Sequence, residues 1–190
     1  MERTIQTLIQ EIYPLPNEVL ADVAAHFRYT EYPKGAFLLK SGRVCQHLWW
    51  MTQGACRYFY TTEEGREMNT WFSLDEQIVT ITPSFIQQTP SDESLQLLED
   101  AAFYVIEKSA VDALLKKHHA FALWFIKLIE LNYIVQVEDR IGDLQFLDAK
   151  QRYHKLLSLY PDITNRISLG HIASYLNITQ ETLSRVRAAK

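Results

Sequence analysis

Residues 167–190 have the spacing of two short helices that share one small core. Their apolar side chains recur every three or four residues in two sets: Ile172, Ala173 and Leu176, then Leu183 and Val186. Ser168 and Thr179 are good N-cap residues, which leaves about three residues for the turn between the helices. Asn177 tolerates the left-handed backbone of a tight turn, and Ile178 can fill the corner. The pattern predicts a helix-turn-helix hairpin.

The second of these helices carries polar side chains on the face that points away from the shared core. We predict that they contact DNA together with the two N-caps, so the candidate DNA-binding residues are Ser168, Thr179, Gln180, Glu181, Thr182, Ser184, Arg185 and Arg187. In the major groove Gln can pair with adenine, Glu can accept from cytosine N4, and Arg can bind guanine O6 and N7. Arg187 and Lys190 suit phosphates instead.

Residues 172–187, IASYLNITQETLSRVR, closely resemble the C-terminal segment of the CRP/FNR superfamily of bacterial transcription regulators. The resemblance implies that Gln180, Glu181 and Arg185 read bases. It also implies a homodimer on a near-palindromic site in double-stranded DNA, with RNA polymerase as a further candidate partner. Many members continue into a small β wing, whereas this sequence stops at Lys190, so we expect wing contacts to be missing or the sequence to be cut short.

Charge is divided unevenly along the chain. The net charge is −4, yet residues 140–190 carry eight Lys and Arg against four Asp and Glu, which makes this end +4 and the rest −8. A basic end on an acidic body is compatible with phosphate binding at that end only.

Residues 29–107 have the pattern of a compact all-β unit. Short runs of β-branched and aromatic residues are separated by Gly35, Gly42, Gly54 and Gly65, at intervals of 7, 12 and 11. These turns resemble, in their order, those of the β-roll of the same superfamily. The resemblance implies an α+β fold: an N-terminal antiparallel β-roll of the cyclic-nucleotide-binding type flanked by helices, a long dimerisation helix, and a C-terminal helix-turn-helix domain. We expect the domain boundaries to be 1–118, 119–145 and 146–190.

Helices are predicted on both sides of the β unit. Two precede it, the second capped by Asn17, and Ser109 can cap a short one after it. Residues 121–143 predict a long helix with a near-heptad stripe, and the candidate dimerisation residues are Phe121, Trp124, Phe125, Leu128, Leu131, Asn132 and Val135. Further apolar residues lie off the stripe: Ile126, Ile129, Tyr133, Ile134 and Val137. We predict pairing with a second copy; the alternative is a helix buried only against its own roll.

A cyclic-nucleotide site is not expected in the roll. The best-known superfamily members use a Gly-Glu pair and an Arg, but the corresponding residues 72–76 and 90–94 read FSLDE and PSDES. Residues 67–107 contain eight Asp and Glu and no Lys or Arg. Two like unit charges about 4 Å apart repel by about 4 kcal/mol at an effective dielectric constant of about 20. An unidentified apolar or neutral small-molecule effector, other than cyclic AMP, stays open.

Other classes of function find little support. Cys45 and Cys56 are not in a CxxC spacing and are expected to pack in the core, and His118 and His119 are adjacent, so no metal or cofactor is predicted. A cupin-like enzyme needs clustered metal ligands, and the β unit offers only His47. We expect no enzyme, no membrane segment and a cytoplasmic location. The remaining alternative is a dimeric protein- or small-molecule-binding module that does not read DNA specifically.

Overall fold

Two four-stranded antiparallel sheets form the β unit of the protein, for which a computed structural model describes residues 4–188. The strands are β1 (Arg28–Tyr32), β2 (Phe37–Leu39), β3 (His47–Gln53), β4 (Cys56–Thr61), β5 (Glu67–Ser73), β6 (Ile78–Val79), β7 (Ser94–Leu97) and β8 (Ala101–Glu107). One sheet has the order β1-β8-β3-β6 and the other β2-β7-β4-β5. The predicted β-roll is confirmed, with one short helix, α3 (Thr82–Gln87), inserted between β6 and β7.

Glycines occupy the turns of the roll where the backbone is left-handed. Gly35, Gly42, Gly54 and Gly65 all have positive φ. At Gly54, between β3 and β4, the constraint is also steric, because a Cβ there would lie 2.5 Å from the Cβ of Ala101. The regular glycine spacing in the sequence therefore marks real turns.

Two helices precede the roll and pack on its core. They are α1 (Ile5–Ile12) and α2 (Asn17–Ala25), and α4 (Lys108–Lys117) follows the last strand. Leu8 and Ile9 are buried, and Trp124 Nε1 donates to the Ile9 carbonyl oxygen at 2.8 Å. The predicted caps are wrong by one or two residues: Asn17 is the first residue of α2 and Ser109 lies inside α4, so neither side chain binds the first amides of its helix.

The long helix, His119–Phe146, comprises α5 (His119–Ile129), a π-helical turn (Glu130–Ile134) and α6 (Val135–Phe146). In its first half Phe121, Trp124 and Leu128 are each 1% exposed and pack in the core of the roll. The prediction that these three side chains form a dimer seam is therefore wrong, because the roll of the same chain covers them.

The second half of the long helix carries a different exposed set. Asn132 donates to a carbonyl of its own helix instead of facing outward, Phe125 is half-buried, and Leu131 and Val135 are exposed. Four other exposed apolar residues are spaced by three, four and three positions. We call this set the exposed seam: Ile134, Val137, Ile141 and Leu144. The π-helical turn lies between the two halves of the helix, and its one extra residue rotates the following positions by about 100°.

By length and composition alone, the long helix could cross a membrane, and it is the one helix within residues 4–188 of which this is true. Core helices of soluble proteins have the same properties. One face of its first half packs on the core of the roll, and its second half includes the charged residues Glu138, Asp139 and Arg140. Packing and charge thus account for the helix without a membrane.

Four helices make up the C-terminal part: α7 (Ala149–Leu159), α8 (Ile163–Arg166), α9 (Leu169–Tyr175) and α10 (Gln180–Ala188). The sequence pattern missed α8, which has four residues and no side-chain cap. The buried side chains of this part share one cluster with three residues of the roll: Ala55, Phe72 and Leu74 with Tyr153, Leu156, Ile163, Ile167, Ile172, Ala173, Leu176 and Leu183. The hairpin is therefore docked on the roll through a continuous apolar core.

Candidate DNA interface and ligand cavity

The predicted hairpin is present as α9 and α10. Ser168 Oγ accepts from the His171 amide at 3.3 Å, and Thr179 Oγ1 accepts from the Thr182 amide at 3.1 Å, so both predicted N-caps are confirmed. Asn177 has φ +55°, the left-handed conformation that the tight turn needs. Local sequence thus determines where both helices begin and how they are joined.

One face of α10 is open to solvent. Its exposed polar residues are Gln180, Glu181, Ser184, Arg185 and Arg187, while Thr182 is half-buried. Leu183 is buried and Val186 is half-buried on the opposite face. The structure leaves the predicted reading residues accessible on one helix surface; Lys190 lies outside the described residues.

Two contacts orient side chains on this face. Arg185 Nη2 donates to Thr182 Oγ1 at 3.3 Å, which holds the guanidinium along the helix. The amide of Gln180 lies against Gly170 in α9, where an added Cβ would come within 2.8 Å of the Gln180 Nε2 atom. Sequence reasoning missed the role of Gly170, although a glycine inside a short helix is itself a signal of close approach.

Arg57 of β4 connects the roll to the hairpin. It is 5% exposed and binds Glu67 Oε2 at 2.6 Å and Gln96 Oε1 at 2.7 Å. Its Nη1 atom also lies 3.4 Å from His171 Nδ1, on the first helix of the hairpin. Burial, and then the charge of Arg57, lower the pKa of His171 below its usual value. An arginine inside the aromatic run CRYFY was the available sequence signal for this contact.

Helix α9 also covers the edge of the second sheet at β5. Ser174 Oγ accepts from the Asn69 amide at 2.9 Å and donates to the Glu67 carbonyl oxygen at 3.3 Å. The ring of Tyr175 packs against Phe72, with centroids 5.2 Å apart. These hydrogen bonds pair backbone groups of the edge strand β5 with α9, and they fix the position of α9 on the sheet.

Arg166, at the end of α8, makes a second link between the hairpin and the roll. It binds Asp75 Oδ2 and Glu99 Oε2, each at 2.6 Å, and donates to the Gly54 carbonyl oxygen at 2.9 Å. Hydrogen bonds that Arg166 donates to the Glu99 and Asp75 carboxylates raise the pKa of Arg166 further above its ordinary value. One guanidinium thus joins three points of the roll to the segment that enters the hairpin.

A cavity of about 280 Å³ lies between the roll and the long helix. The roll contributes strands β3 to β6 and the start of α3, and the helix contributes the π-helical turn with its flanking residues. Most of the lining is apolar, with Trp71 and Ile78 on the roll side and Leu128 and Ile129 on the helix side. A cavity of this size suits a small organic molecule.

The two charged residues that line this cavity are Glu93 and Arg140. Glu93 Oε1 accepts from Thr70 Oγ1 at 2.5 Å, and burial raises the pKa of Glu93 above its usual value. The Arg140 guanidinium lies 3.9 Å from the centre of the Tyr175 ring and donates to the Tyr175 carbonyl oxygen, so it holds the hairpin. The carboxylate is therefore the charged group that the cavity can offer to a ligand.

No metal centre is found within residues 4–188: no group of three or more His, Cys, Asp or Glu there could hold a metal ion. Cys45 and Cys56 are buried free thiols, and burial raises the pKa of Cys56 to about 12. Of the two adjacent histidines, His118 pairs with Asp22, with its Nε2 atom 2.7 Å from Asp22 Oδ2, and His119 is exposed.

Comparison with known families identifies the roll. Residues 29–118 match the family model described as the cyclic nucleotide-binding domain. The search of curated proteins gives no significant match. The family match covers the strands of both sheets and α4, so it supports the β-roll. It does not include the hairpin.

Solved structures that share the fold over most of the chain include transcription regulators. A protein from Eubacterium rectale, described as a Crp/Fnr-family transcriptional regulator, has a TM-score of 0.72 at 16% identity over 93% of this chain and 85% of that one. The c-di-GMP responsive global regulator CLP of Xanthomonas campestris has 0.69 at 16% over 91% and 90%. FixK2 of Bradyrhizobium japonicum has 0.69 at 15% over 85% and 83%. The chain has the fold of these regulators, roll and hairpin included.

Proposed function

We propose that this protein is a soluble, cytoplasmic transcription regulator that binds a near-palindromic DNA site as a homodimer. The observation that carries the proposal is the exposed face of α10, where Gln180, Glu181 and Arg185 stand on a capped helix-turn-helix. These side chains have the hydrogen-bonding groups that read adenine, cytosine and guanine edges. The fold shared with CRP/FNR regulators supports a regulatory role over an enzymatic one.

The homodimer is supported by the exposed seam on the long helix. Its four apolar residues follow the a and d spacing of a coiled coil, and each is more than a third exposed in the isolated chain. Two copies joined by a two-fold axis would place two α10 helices on successive major grooves, with half-site centres about 34 Å apart. The dimer would thus read both halves of one site.

We further propose that the regulator does not respond to cyclic nucleotides. The support is electrostatic: residues 67–107 contain no Lys or Arg, and of the two charged residues that line the cavity, Glu93 would repel a phosphate and Arg140 is already bound to Tyr175. Calorimetry with cyclic AMP and cyclic GMP should detect no binding at micromolar concentrations. Micromolar affinity for either nucleotide would contradict this part of the proposal.

Selection of bound duplexes from a random pool, with the full chain, tests the main proposal. We expect an enriched near-palindrome, and fluorescence anisotropy on that duplex should show affinity that falls steeply with salt, by about 0.9 log units per tenfold salt for each phosphate contacted. A pool without enrichment and a binding curve without salt dependence would favour the alternative, a dimeric binding module that does not read DNA.

A further inference from the structure

The cavity between roll and long helix contains a carboxylate that the protein uses only in part. Glu93 Oε1 accepts from Thr70, and Ser91 Oγ binds only the backbone of Glu93, so no ion pair or second side chain engages the Glu93 carboxylate within the described residues 4–188. Burial is the largest cause of the raised pKa of Glu93. The like charge of its neighbour Asp92 also raises this pKa. A half-buried carboxylate without a cation is electrostatically unfavourable, so a cationic ligand would gain from contact with it.

The other polar groups of the cavity wall divide into two kinds. Tyr58 and Ser73 bind each other at 3.3 Å, and Thr80 donates to the His47 carbonyl oxygen at 3.1 Å, so these groups are already engaged. On the helix side, Tyr133 and Gln136 line the cavity, and neither shows a side-chain hydrogen bond in the described part of the chain. The cavity therefore offers one carboxylate on the roll and, on the helix, neutral hydrogen-bonding groups beside the Arg140 guanidinium, which is bound to Tyr175.

The long helix is π-helical where it borders the cavity. The turn Glu130–Ile134 includes Asn132 and Tyr133, both of which line the space. π-helical turns are rare and, as bulges inside α-helices, are frequent at functional sites. Here the turn widens the helix beside the cavity.

From the size, apolar lining and unshared carboxylate, we propose that the cavity binds a small apolar amine in its ammonium form, held by the Glu93 carboxylate. The inference rests on the proposed function, because it names the chemical class of effector for the regulator's own cavity. The apolar part of the ligand would pack between Trp71 and Ile78 on the roll and Leu128 on the helix. Ligands with a carboxylate or phosphate in the same position would be repelled.

Three probes that share one apolar body test the charge preference: 2-phenylethylamine, 2-phenylethanol and 3-phenylpropanoate, titrated into the full chain by calorimetry. We expect the ammonium probe to bind about tenfold more tightly than the alcohol, since a charge-assisted hydrogen bond is stronger than a neutral one. The carboxylate probe should bind more weakly than both. Amide chemical shifts of Thr70 and Gln136 should move with the ammonium probe, which locates it in the cavity.

The variant Glu93→Gln removes the charge and keeps an oxygen that can accept from Thr70, so it should fold while losing the preference for ammonium over alcohol. Asp92→Asn is the matched control, because it removes a neighbouring exposed charge that does not line the cavity. The proposal is overturned if no probe binds at millimolar concentration, if the carboxylate probe binds as tightly as the ammonium, or if Glu93→Gln leaves the order unchanged.

The same preparation is titrated with duplex DNA in the absence of any probe. If the protein binds DNA specifically but does not prefer the ammonium probe over the alcohol, the cavity inference alone is overturned. If the protein does not bind DNA specifically, the proposed function is overturned. The two failures are therefore distinguishable in one set of samples.

Discussion

Arg57 Nη1 lies 3.4 Å from His171 Nδ1, and this pair joins the buried centre of the roll to the first helix of the hairpin. Asn69 Nδ2 approaches the same ring nitrogen at 3.3 Å. Both neighbours have N–H groups to donate, so Nδ1 accepts and the docked imidazole is neutral with its proton on Nε2. Docking of the hairpin is thus linked to the protonation of one histidine.

Acidification should loosen the hairpin on the roll. The pKa of His171 is lowered in the docked state by burial and by Arg57, with Glu67 opposing, so protonation is less favourable there than in an undocked chain. The contact is at full strength above the ordinary pKa of 6.5 and weakens as the pH falls below it through the depressed value. The imidazole resonances of His171, followed by NMR over a pH series, should give its depressed pKa. The chemical shift of the Asn69 side-chain amide, which contacts the ring, should change with the same pKa.

Two variants separate this link from a general effect of acid. His171→Gln should remove the pH dependence of the Asn69 amide, because no ring titrates at the interface. His154→Gln changes an exposed histidine of α7 and should leave the titration intact. A titration that persists in His171→Gln would assign the effect to another group.

Removal of the Arg166 guanidinium should destabilise the junction between α8 and the roll. Arg166→Ala removes the cation that the Asp75 and Glu99 carboxylates share and leaves Asp75 with the Gly54 amide alone. All three side chains are partly exposed, so we expect a loss of about 1–3 kcal/mol in the free energy of unfolding, measured by urea denaturation. Arg66→Ala, which removes an exposed arginine 3.9 Å from Glu64, should change it by less than about 0.5 kcal/mol. Equal losses in the two variants would contradict a special role for Arg166.

A charge in the exposed seam should dissociate the homodimer. Ile134 is 51% exposed in the isolated chain, and Ile134→Glu replaces an apolar side chain that occurs twice at a two-fold interface. We expect dimerisation to weaken by about 3 kcal/mol or more, read as a shift to monomer in sedimentation equilibrium. Gln87→Glu adds the same charge at an exposed position outside the seam and should leave the dimer intact. A dimer that survives Ile134→Glu would place the interface elsewhere.

Sequence reasoning succeeded where the determinants are local. The caps Ser168 and Thr179, the left-handed Asn177 and the glycine turns are each decided by a few neighbouring residues, and the structure has all of them. It failed on the first half of the long helix, because an apolar stripe has the same spacing whether it packs on the roll of its own chain or on a second copy. Burial of Phe121, Trp124 and Leu128 against the roll is decided by contacts between distant parts of the chain.

The docking contacts depended on distant parts of the chain and could not be predicted. Arg57 and His171 are 114 residues apart, and Arg166 and Asp75 are 91 apart. No periodicity links such positions; only the closed sheets bring them together. The cavity was missed for the same reason, since Glu93 and the long helix meet only in the folded chain.

Substitutions on α10 should separate base reading from phosphate binding. Arg185 lies on the exposed face beside Thr182 and has the donors for guanine, so Arg185→Ala should weaken binding to the selected site by about 1–3 kcal/mol and relax base preference at one position. Arg187→Ala should weaken binding to all duplexes alike and reduce the salt slope by about one. Anisotropy titrations of both variants on the selected duplex, on single-base variants and on a scrambled duplex decide the matter. If both variants lost affinity equally on every duplex, neither arginine would be reading a base.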